Sequence, residues 1–234
     1  MMQGFIEYLK AQVGRSVYVW GGQGETDITE KWVRSRENRE ANIQRVMRFY
    51  EGLKAQGISP IRAYDCSGLI LFYWKDEMRF FAADMTAAGL FRQCLPIEKA
   101  ALCPGDLVFR HNGASIHHVG VYIGGGEVIE AEGRDRGVVR RHIDAGGEGY
   151  WNRFGRPPFF YAKKADDSCF ARVNGDSVNL RAGPGTQYPV VAVTHRLDAL
   201  LARPEREGWC ETAAIANGKL QRGYMSAKYI KRNE

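Results

Sequence analysis

Several features that mark other protein classes are missing from this chain. No apolar run approaches the about 20 residues of a membrane helix, so we expect no membrane insertion. The first twenty residues lack the charged start, apolar segment and small-residue cleavage site of a signal peptide, so we expect synthesis in the cytoplasm. The five cysteines are odd in number and include no CxxC pair, which argues against a disulfide scaffold or a zinc ribbon.

A concentrated block of positive charge is also missing. The net charge is +6, and residues 166–234 carry 10 basic and 8 acidic side chains, so the excess is spread along the chain. Nucleic-acid binders usually gather their basic residues, so we expect no nucleic-acid partner. A diffuse positive field suits loose attraction to a polyanionic surface, and it suits plain solubility equally well.

The hydrophobic pattern changes once, near residue 105. Apolar residues at helical spacing predict helices over 3–13, 37–56, 65–75 and 84–90. Beyond the turn at Pro104-Gly105-Asp106, short apolar segments predict strands at Leu107–Phe109, His118–Ile123, Val128–Ala131 and Val138-Val139. Helices followed by an antiparallel sheet predict the fold class α+β.

A second domain is predicted after a proline-rich, charged stretch at 152–167, which we interpret as a linker. Short alternating segments separated by turn residues then predict strands at 177–181, 190–194, 199–203, 209–213 and 221–225. This pattern is typical of a small all-β barrel. We therefore expect two domains, 1–162 and 168–234.

Cys66 is the strongest candidate for a nucleophile. It lies in Asp65-Cys66-Ser67-Gly68, directly before the apolar run of the predicted third helix. A thiol in the first turn of a helix meets the positive end of the helix dipole, which favours the reactive thiolate. We interpret the other cysteines as structural, the usual role of a buried thiol: Cys94, Cys103, Cys169 and Cys210.

A nucleophilic thiol needs a base, and His118 is the leading candidate. It begins a predicted strand in which His118, Gly120 and Tyr122 share one face. Gly120 should leave space beside the imidazole for a substrate or a helix end. His117 points to the opposite face and should be a surface residue.

The base must be oriented by a further polar group, and two glutamates are candidates. If Gly124–Gly126 is a three-residue hairpin loop, Gly120 faces Glu130 and His118 faces Glu132. Both carboxylates then lie on the histidine's face of the sheet. A loop of two or four residues would place them on the other face, so the register leaves the choice open.

Four motifs in order resemble those of the NlpC/P60 cell-wall peptidases: YVWGG at 18–22, DCSG at 65–68, PGDLVF at 104–109 and HVGVYIG at 118–124. The resemblance covers about residues 3–160 and implies a papain-like α+β core. It matches Cys66 to the family nucleophile and His118 to its base. The family's third polar residue falls twelve positions after the histidine, which favours Glu130, although the family most often has histidine there.

The resemblance also implies a substrate-binding set. Tyr18 matches a tyrosine that lines the family's active site, and Asp65 and Ser67 match positions that bind the free amine of a wall peptide in some members. We add Tyr64 to this set. One departure is an insertion at about 23–60, because 42 residues lie between Gly22 and Asp65; its helix should lie beside the cleft.

The C-terminal part resembles a bacterial SH3-type (SH3b) module through VNLRAGPG at 178–185 and GYMSAKYI at 223–230. Such modules commonly bind peptidoglycan, and the order of domains resembles phage lysins. The resemblances together imply a peptidoglycan hydrolase that acts at the cell wall as a monomer, cutting between γ-D-glutamyl and a diamino acid. The alternatives are an N-acetylmuramoyl-L-alanine amidase and a non-catalytic wall-binding protein.

Other chemistries fit the sequence poorly. The histidines and cysteines form no HExxH or Cys/His ligand set, so we expect no metal. Neither a GxGxxG dinucleotide motif nor a GxSxG nucleophile elbow is present, and we expect no cofactor.

Overall fold

The computed structural model describes residues 2–77, 84–157 and 169–232. The helices belong to the first part of the chain: α1 (Met2–Gln12), α2 (Glu30–Arg36), α3 (Glu40–Ala55), α4 (Gly68–Phe72), which runs into a π-helical turn at Tyr73–Glu77, and α5 (Ala87–Arg92). In the described ranges, no helix is both long and apolar enough to cross a bilayer.

The first α-helix shows why the predicted helices form. Phe5 and Leu9 are one turn apart and fully buried, so α1 is held by its apolar face. Gly14 follows the helix with φ +66°, a left-handed conformation that glycine adopts without steric cost. The prediction of a helix over 3–13 is confirmed to within a residue.

A three-stranded sheet in the order β1-β3-β2 joins the ends of the insertion. It consists of β1 (Ser16–Tyr18), β2 (Gln23–Glu25) and β3 (Arg62–Tyr64). Val17 and Ala63 face a separate apolar cluster made with α2 and α3, whereas Tyr18 and Tyr64 face the main core. The insertion therefore covers one side of this sheet.

The single helix predicted over 37–56 is wrong at its start. The chain forms two helices, with Glu37 in an extended conformation at the end of α2 and α3 beginning at Glu40. Thr29 caps α2 by accepting a hydrogen bond from Trp32 N at 3.2 Å. The break follows from Glu37, whose buried carboxylate turns inward to the partly exposed Arg134.

The main sheet has six strands in the order β4-β9-β5-β6-β7-β8. They are β4 (Leu95–Pro96), β5 (Leu107–His111), β6 (Ile116–Gly124), β7 (Glu127–Gly133), β8 (Gly137–His142) and β9 (Arg153–Arg156). All pairings are antiparallel. The strand β9 lies inside the stretch that we interpreted as a linker, so that interpretation is wrong for 153–156; residues 158–167 lie outside the described residues.

The β6–β7 hairpin decides which side chains meet. Tyr122 pairs with Val128 and Val121 with Ile129, which is the predicted register. The loop itself differs, because Gly125 and Gly126 form a two-residue turn and a bulge at Ile123 supplies the extra residue. Because of the bulge, Glu130 and Glu132 lie on the same face of the sheet as His118. A two-residue turn without the bulge would place them on the opposite face.

The C-terminal part forms a seven-stranded antiparallel sheet in the order β12-β11-β15-β14-β13-β10-β16. Five strands match predictions: β11 (Ser177–Arg181), β12 (Val190–His195), β13 (Ala199–Ala202), β14 (Trp209–Ala216) and β15 (Lys219–Ser226). Two were not predicted, β10 (Cys169–Val173) and β16 (Ile230–Arg232). The sheet has its own apolar core, with Leu180 and Met225 fully buried.

Candidate functional site

Asp65 fastens the segment that carries Cys66. One carboxylate oxygen accepts hydrogen bonds from Gly68 N at 2.6 Å and Ser67 Oγ at 3.1 Å, and the other accepts from Gly21 N at 3.0 Å. Asp65 thus joins the DCSG turn to the YVWGG turn, so the two motifs form one structure.

Gly68 explains why the two turns can approach so closely. A Cβ atom at this position would lie 2.0 Å from the carbonyl oxygen of Gly22. Any larger residue would therefore push α4 away from the Gly21-Gly22 turn. The position of Cys66, two residues earlier, depends on this contact.

The Cys66 thiol is buried, with 9% of the residue exposed. Burial raises the pKa of the thiol to about 12, and the charge of Asp65 adds to the rise. The backbone N–H groups of Val119, Ser67 and Cys66 itself face the sulfur and partly oppose this rise. The expectation of a thiolate favoured by the helix start is wrong for this state, because desolvation outweighs the amide dipoles and α4 begins only at Gly68.

His118 is held on two sides. Its Nε2 lies 2.5 Å from Glu130 Oε2, and its ring stacks on Trp151 with a centroid distance of 5.7 Å and an angle of 16° between planes. Gly120 leaves room for this pair, because a Cβ there would lie 2.8 Å from Val128 Cγ1 and 3.1 Å from the Trp151 ring. The space that we expected beside the imidazole is therefore filled by Trp151.

The structure brings Glu130, and not Glu132, to the imidazole. The Glu130 side chain is fully buried on β7, and its second oxygen, Oε1, lies 3.3 Å from Arg141 Nε. Glu132 accepts a hydrogen bond from Arg141 Nη1 at 2.8 Å and forms an ion pair with Arg136. Both glutamates lie on the predicted face. Glu130 contacts His118 and Arg141, whereas Glu132 contacts Arg141 of β8 and Arg136.

Of the remaining residues predicted to bind substrate, two lie near the site and one does not reach it. Tyr18 is buried beside the site; burial and the nearby Cys66 and Asp65 raise the pKa of its phenol. Ser67 is buried as well. Tyr64 is a correction, because its ring is fully buried against Tyr8 and Phe72 and presents no surface to a substrate.

An ion pair joins the insertion to the edge of the site. Arg134 donates to both carboxylate oxygens of Glu37, at 2.9 and 2.7 Å, and its guanidinium lies 5.3 Å from the Tyr18 ring centroid. Trp20 N donates to the same carboxylate at 3.1 Å. The insertion therefore contacts the YVWGG segment through Glu37.

Sequence patterns did not reveal the roles of Trp151, Arg141 and the Glu37–Arg134 pair. These residues come from segments that the motifs do not cover, and nothing in their local pattern ties them to His118. Only the position of Arg141 on β8, where it pairs with Val128 and so lies on the face of the two glutamates, could have suggested it. Within the described ranges, no group of three or more histidine, cysteine, aspartate or glutamate residues is arranged to hold a metal ion.

Known proteins resemble the part of the chain that carries this site. The model of the NlpC/P60 family matches residues 14–154. Murein DD-endopeptidase MepH of Escherichia coli is 37% identical over 101 residues, which cover 42% of this chain and 36% of that protein. Probable endopeptidase p60 of Listeria grayi is 36% identical over 94 residues, which cover 40% of this chain and 18% of that protein. The chain thus spans far less than two thirds of either curated relative.

A solved structure is also similar in part. RipD from Mycobacterium tuberculosis, described as a non-catalytic NlpC/p60 domain protein adapted to peptidoglycan binding, is 17% identical with a TM-score of 0.43. The match covers 66% of this chain and 95% of that one.

Proposed function

Because the chain belongs to the NlpC/P60 family, we propose that it is a peptidoglycan hydrolase that cleaves wall-peptide amide bonds with Cys66 as nucleophile. The observation that carries this proposal is the buried His118–Glu130 pair, whose strand neighbour Val119 has its backbone N–H at the Cys66 sulfur. Its 2.5 Å contact fixes the imidazole through Nε2 and leaves Nδ1 to exchange a proton. The named relatives, an endopeptidase of murein and a probable endopeptidase, support the same reaction class.

The reaction proceeds as nucleophilic acyl transfer. The resting thiol is protonated, so His118 takes its proton as the sulfur attacks the carbonyl carbon. Collapse of the tetrahedral intermediate breaks the C–N bond, and the imidazolium gives its proton to the leaving amine. Water, deprotonated by His118, then hydrolyses the thioester and frees the thiol.

Two groups stabilise the developing oxyanion. The Cys66 backbone N–H lies at the sulfur, and the buried phenol of Tyr18 is the second donor. Because burial and its acidic neighbours raise the pKa of Tyr18, the phenol keeps its proton and can donate throughout the working pH range. Glu130 holds the imidazole in the reactive tautomer and balances the imidazolium charge.

The substrate is a wall peptide, cut between γ-D-glutamyl and the diamino acid. Asp65 and Ser67 lie next to the nucleophile, and a carboxylate there suits a free peptide amine. Asp65 already accepts three hydrogen bonds, so its contribution to binding is mainly electrostatic. No cofactor or metal is needed for this chemistry, and we propose a monomer that acts at the cell wall.

Residues 168–234, which contain the C-terminal sheet, are proposed to be an SH3b-type module that holds the enzyme on peptidoglycan. Its two motifs, residues 178–185 and 223–230, meet in the sheet, since Arg181 of β11 pairs with Tyr224 of β15. Such a module raises the local concentration of substrate without taking part in the reaction.

Digestion of purified peptidoglycan, followed by mass spectrometry of the fragments, tests the proposal. Fragments with new termini between D-glutamate and the diamino acid are expected from the wild type, and none from Cys66→Ser. Release of intact peptides from muramic acid would instead identify an N-acetylmuramoyl-L-alanine amidase. Binding of walls without any fragment would identify a non-catalytic wall-binding protein and contradict the proposal.

A further inference from the structure

We propose that Arg141 is a positioning residue for His118, acting through Glu130 and through an aromatic pair. The inference rests on the proposed function and extends its machinery by one residue. Arg141 does not touch the reacting atoms; it supports the imidazole from two directions.

The first route runs through the carboxylate. Glu130 is fully buried, and a buried carboxylate is costly unless a nearby positive charge compensates it. His118 Nε2 meets Oε2 at 2.5 Å, and Arg141 Nε lies 3.3 Å from Oε1. Within the described part of the chain, neither Glu130 Oε1 nor Arg141 Nε makes a hydrogen bond, so the guanidinium compensates the charge of the second oxygen by proximity alone.

The second route runs through aromatic rings. The guanidinium of Arg141 lies 4.4 Å from the centroid of Tyr150, which meets Trp151 edge to face at 5.1 Å and 87°. Trp151 in turn stacks on the His118 ring. Arg141 is thus at the start of both chains of contacts that end at the histidine.

Arg141 is itself fixed in place. Its side chain is 14% exposed, and Nη1 donates to Glu132 at 2.8 Å. Arg110 also lies over the Tyr150 ring, at 4.3 Å, so the two arginines hold the tyrosine together. A guanidinium fixed by a second carboxylate and an aromatic ring is suited to orienting a third group.

Steady-state kinetics on a soluble muropeptide test this role. Arg141→Met removes the charge and keeps most of the length; kcat should fall about 10- to 100-fold, the usual cost of losing an orienting partner, with KM changed by less than about twofold. Arg141→Lys should recover part of kcat. The matched control is Arg140→Met, the neighbouring arginine of β8, which is exposed and pairs with Glu127, and it should keep both constants.

A double-mutant cycle separates positioning from general damage. If Arg141 acts through Glu130, then Arg141→Met should cost much less in a Glu130→Gln background than in the wild type. Full additivity would overturn the carboxylate route, and wild-type kcat in Arg141→Met would overturn the proposal. If Arg141→Met does not fold, Arg141→Gln serves in the same cycle. A wild-type protein without hydrolase activity would instead contradict the proposed function itself.

Discussion

At the scale of single residues, the site depends on a thiol whose surroundings oppose ionisation. Burial raises the pKa of Cys66 to about 12, against an ordinary value near 9. A raised pKa means that the thiolate fraction at neutral pH is smaller than that of an ordinary cysteine. Reactivity must therefore come from proton transfer to His118 during attack, and not from a preformed thiolate.

Alkylation with iodoacetamide tests this view of Cys66. In the absence of substrate, we expect its alkylation rate to keep rising between pH 7 and pH 10 without a plateau, because the thiolate fraction grows tenfold per pH unit below the pKa. Labelling of Cys66→Ser measures the background from the other thiols. A plateau already reached at pH 7 would show a preformed thiolate and contradict this account.

The two glutamates of β7 give a second prediction at the same scale. Glu130→Ala should lower kcat at least about 100-fold with little change in KM, because the imidazole loses its orienting group. Glu132→Ala should cost less than about tenfold, because Glu132 acts on Arg141 and not on His118. A larger loss in Glu132→Ala would contradict the assignment. Cys66→Ser and His118→Ala should each abolish hydrolysis while keeping the fold.

At the scale of elements, the insertion is tied to the sheet by a buried ion pair. The Glu37 side chain is 2% exposed and that of Arg134 is 20% exposed. Removing one partner of such a pair leaves the other charge without compensation, which is far more costly than losing an exposed pair. The junction between α2 and α3 therefore contributes to stability as well as to the shape of the site.

Urea unfolding of two variants tests that contribution. Glu37→Gln should lower the free energy of unfolding by about 3 kcal/mol, the lower end for breaking a buried pair. Glu30→Gln, which removes the exposed partner of Arg34, should change it by less than about 1 kcal/mol. Equal effects of the two substitutions would show that the Glu37–Arg134 pair is energetically an ordinary surface contact.

Elements that are determined by local apolar spacing could be predicted from the sequence. Features that are determined by contacts between distant parts of the chain could not. The helix over 3–13 and the strands of the β6–β7 hairpin follow from apolar spacing. The break at Glu37 and the position of Trp151 depend on partners far away in the chain, Arg134 and His118, which no local pattern reveals. At the site, the motif spacing predicted the contact between His118 and Glu130, and the catalytic roles of these residues and Cys66 stay predictions. The substrate-binding role of Tyr64 was wrong, because its burial depends on tertiary packing.

At the scale of the whole molecule, the two parts of the chain touch through Gln93. Its side chain accepts a hydrogen bond from Ala199 N at 2.9 Å and donates to Asp198 at 3.2 Å. Gln93 is nearly fully buried by this contact. The C-terminal sheet is therefore attached beside α5, on the part of the chain that carries the proposed active site.

Removal of residues 168–234 tests the role of the C-terminal part. The shortened protein should lose activity on intact walls by about tenfold or more and keep its kcat on small soluble muropeptides, because tethering affects local concentration only. A fusion of residues 168–234 to a fluorescent protein should sediment with purified walls. Equal activity of both forms on intact walls would count against a targeting role.

The three-stranded sheet has a consequence for how this chain could have changed in evolution. Gln23 and Tyr64 are direct partners across β2 and β3, so the insertion leaves and re-enters the domain at neighbouring points. If the insertion were deleted, the chain could be rejoined across a short distance. The deletion would, however, expose Val17, Val19 and Ala63 to solvent, because α2 and α3 cover these residues. A transplant of this insertion into a shorter relative should therefore succeed only if the facing residues of β1 and β3 travel with it.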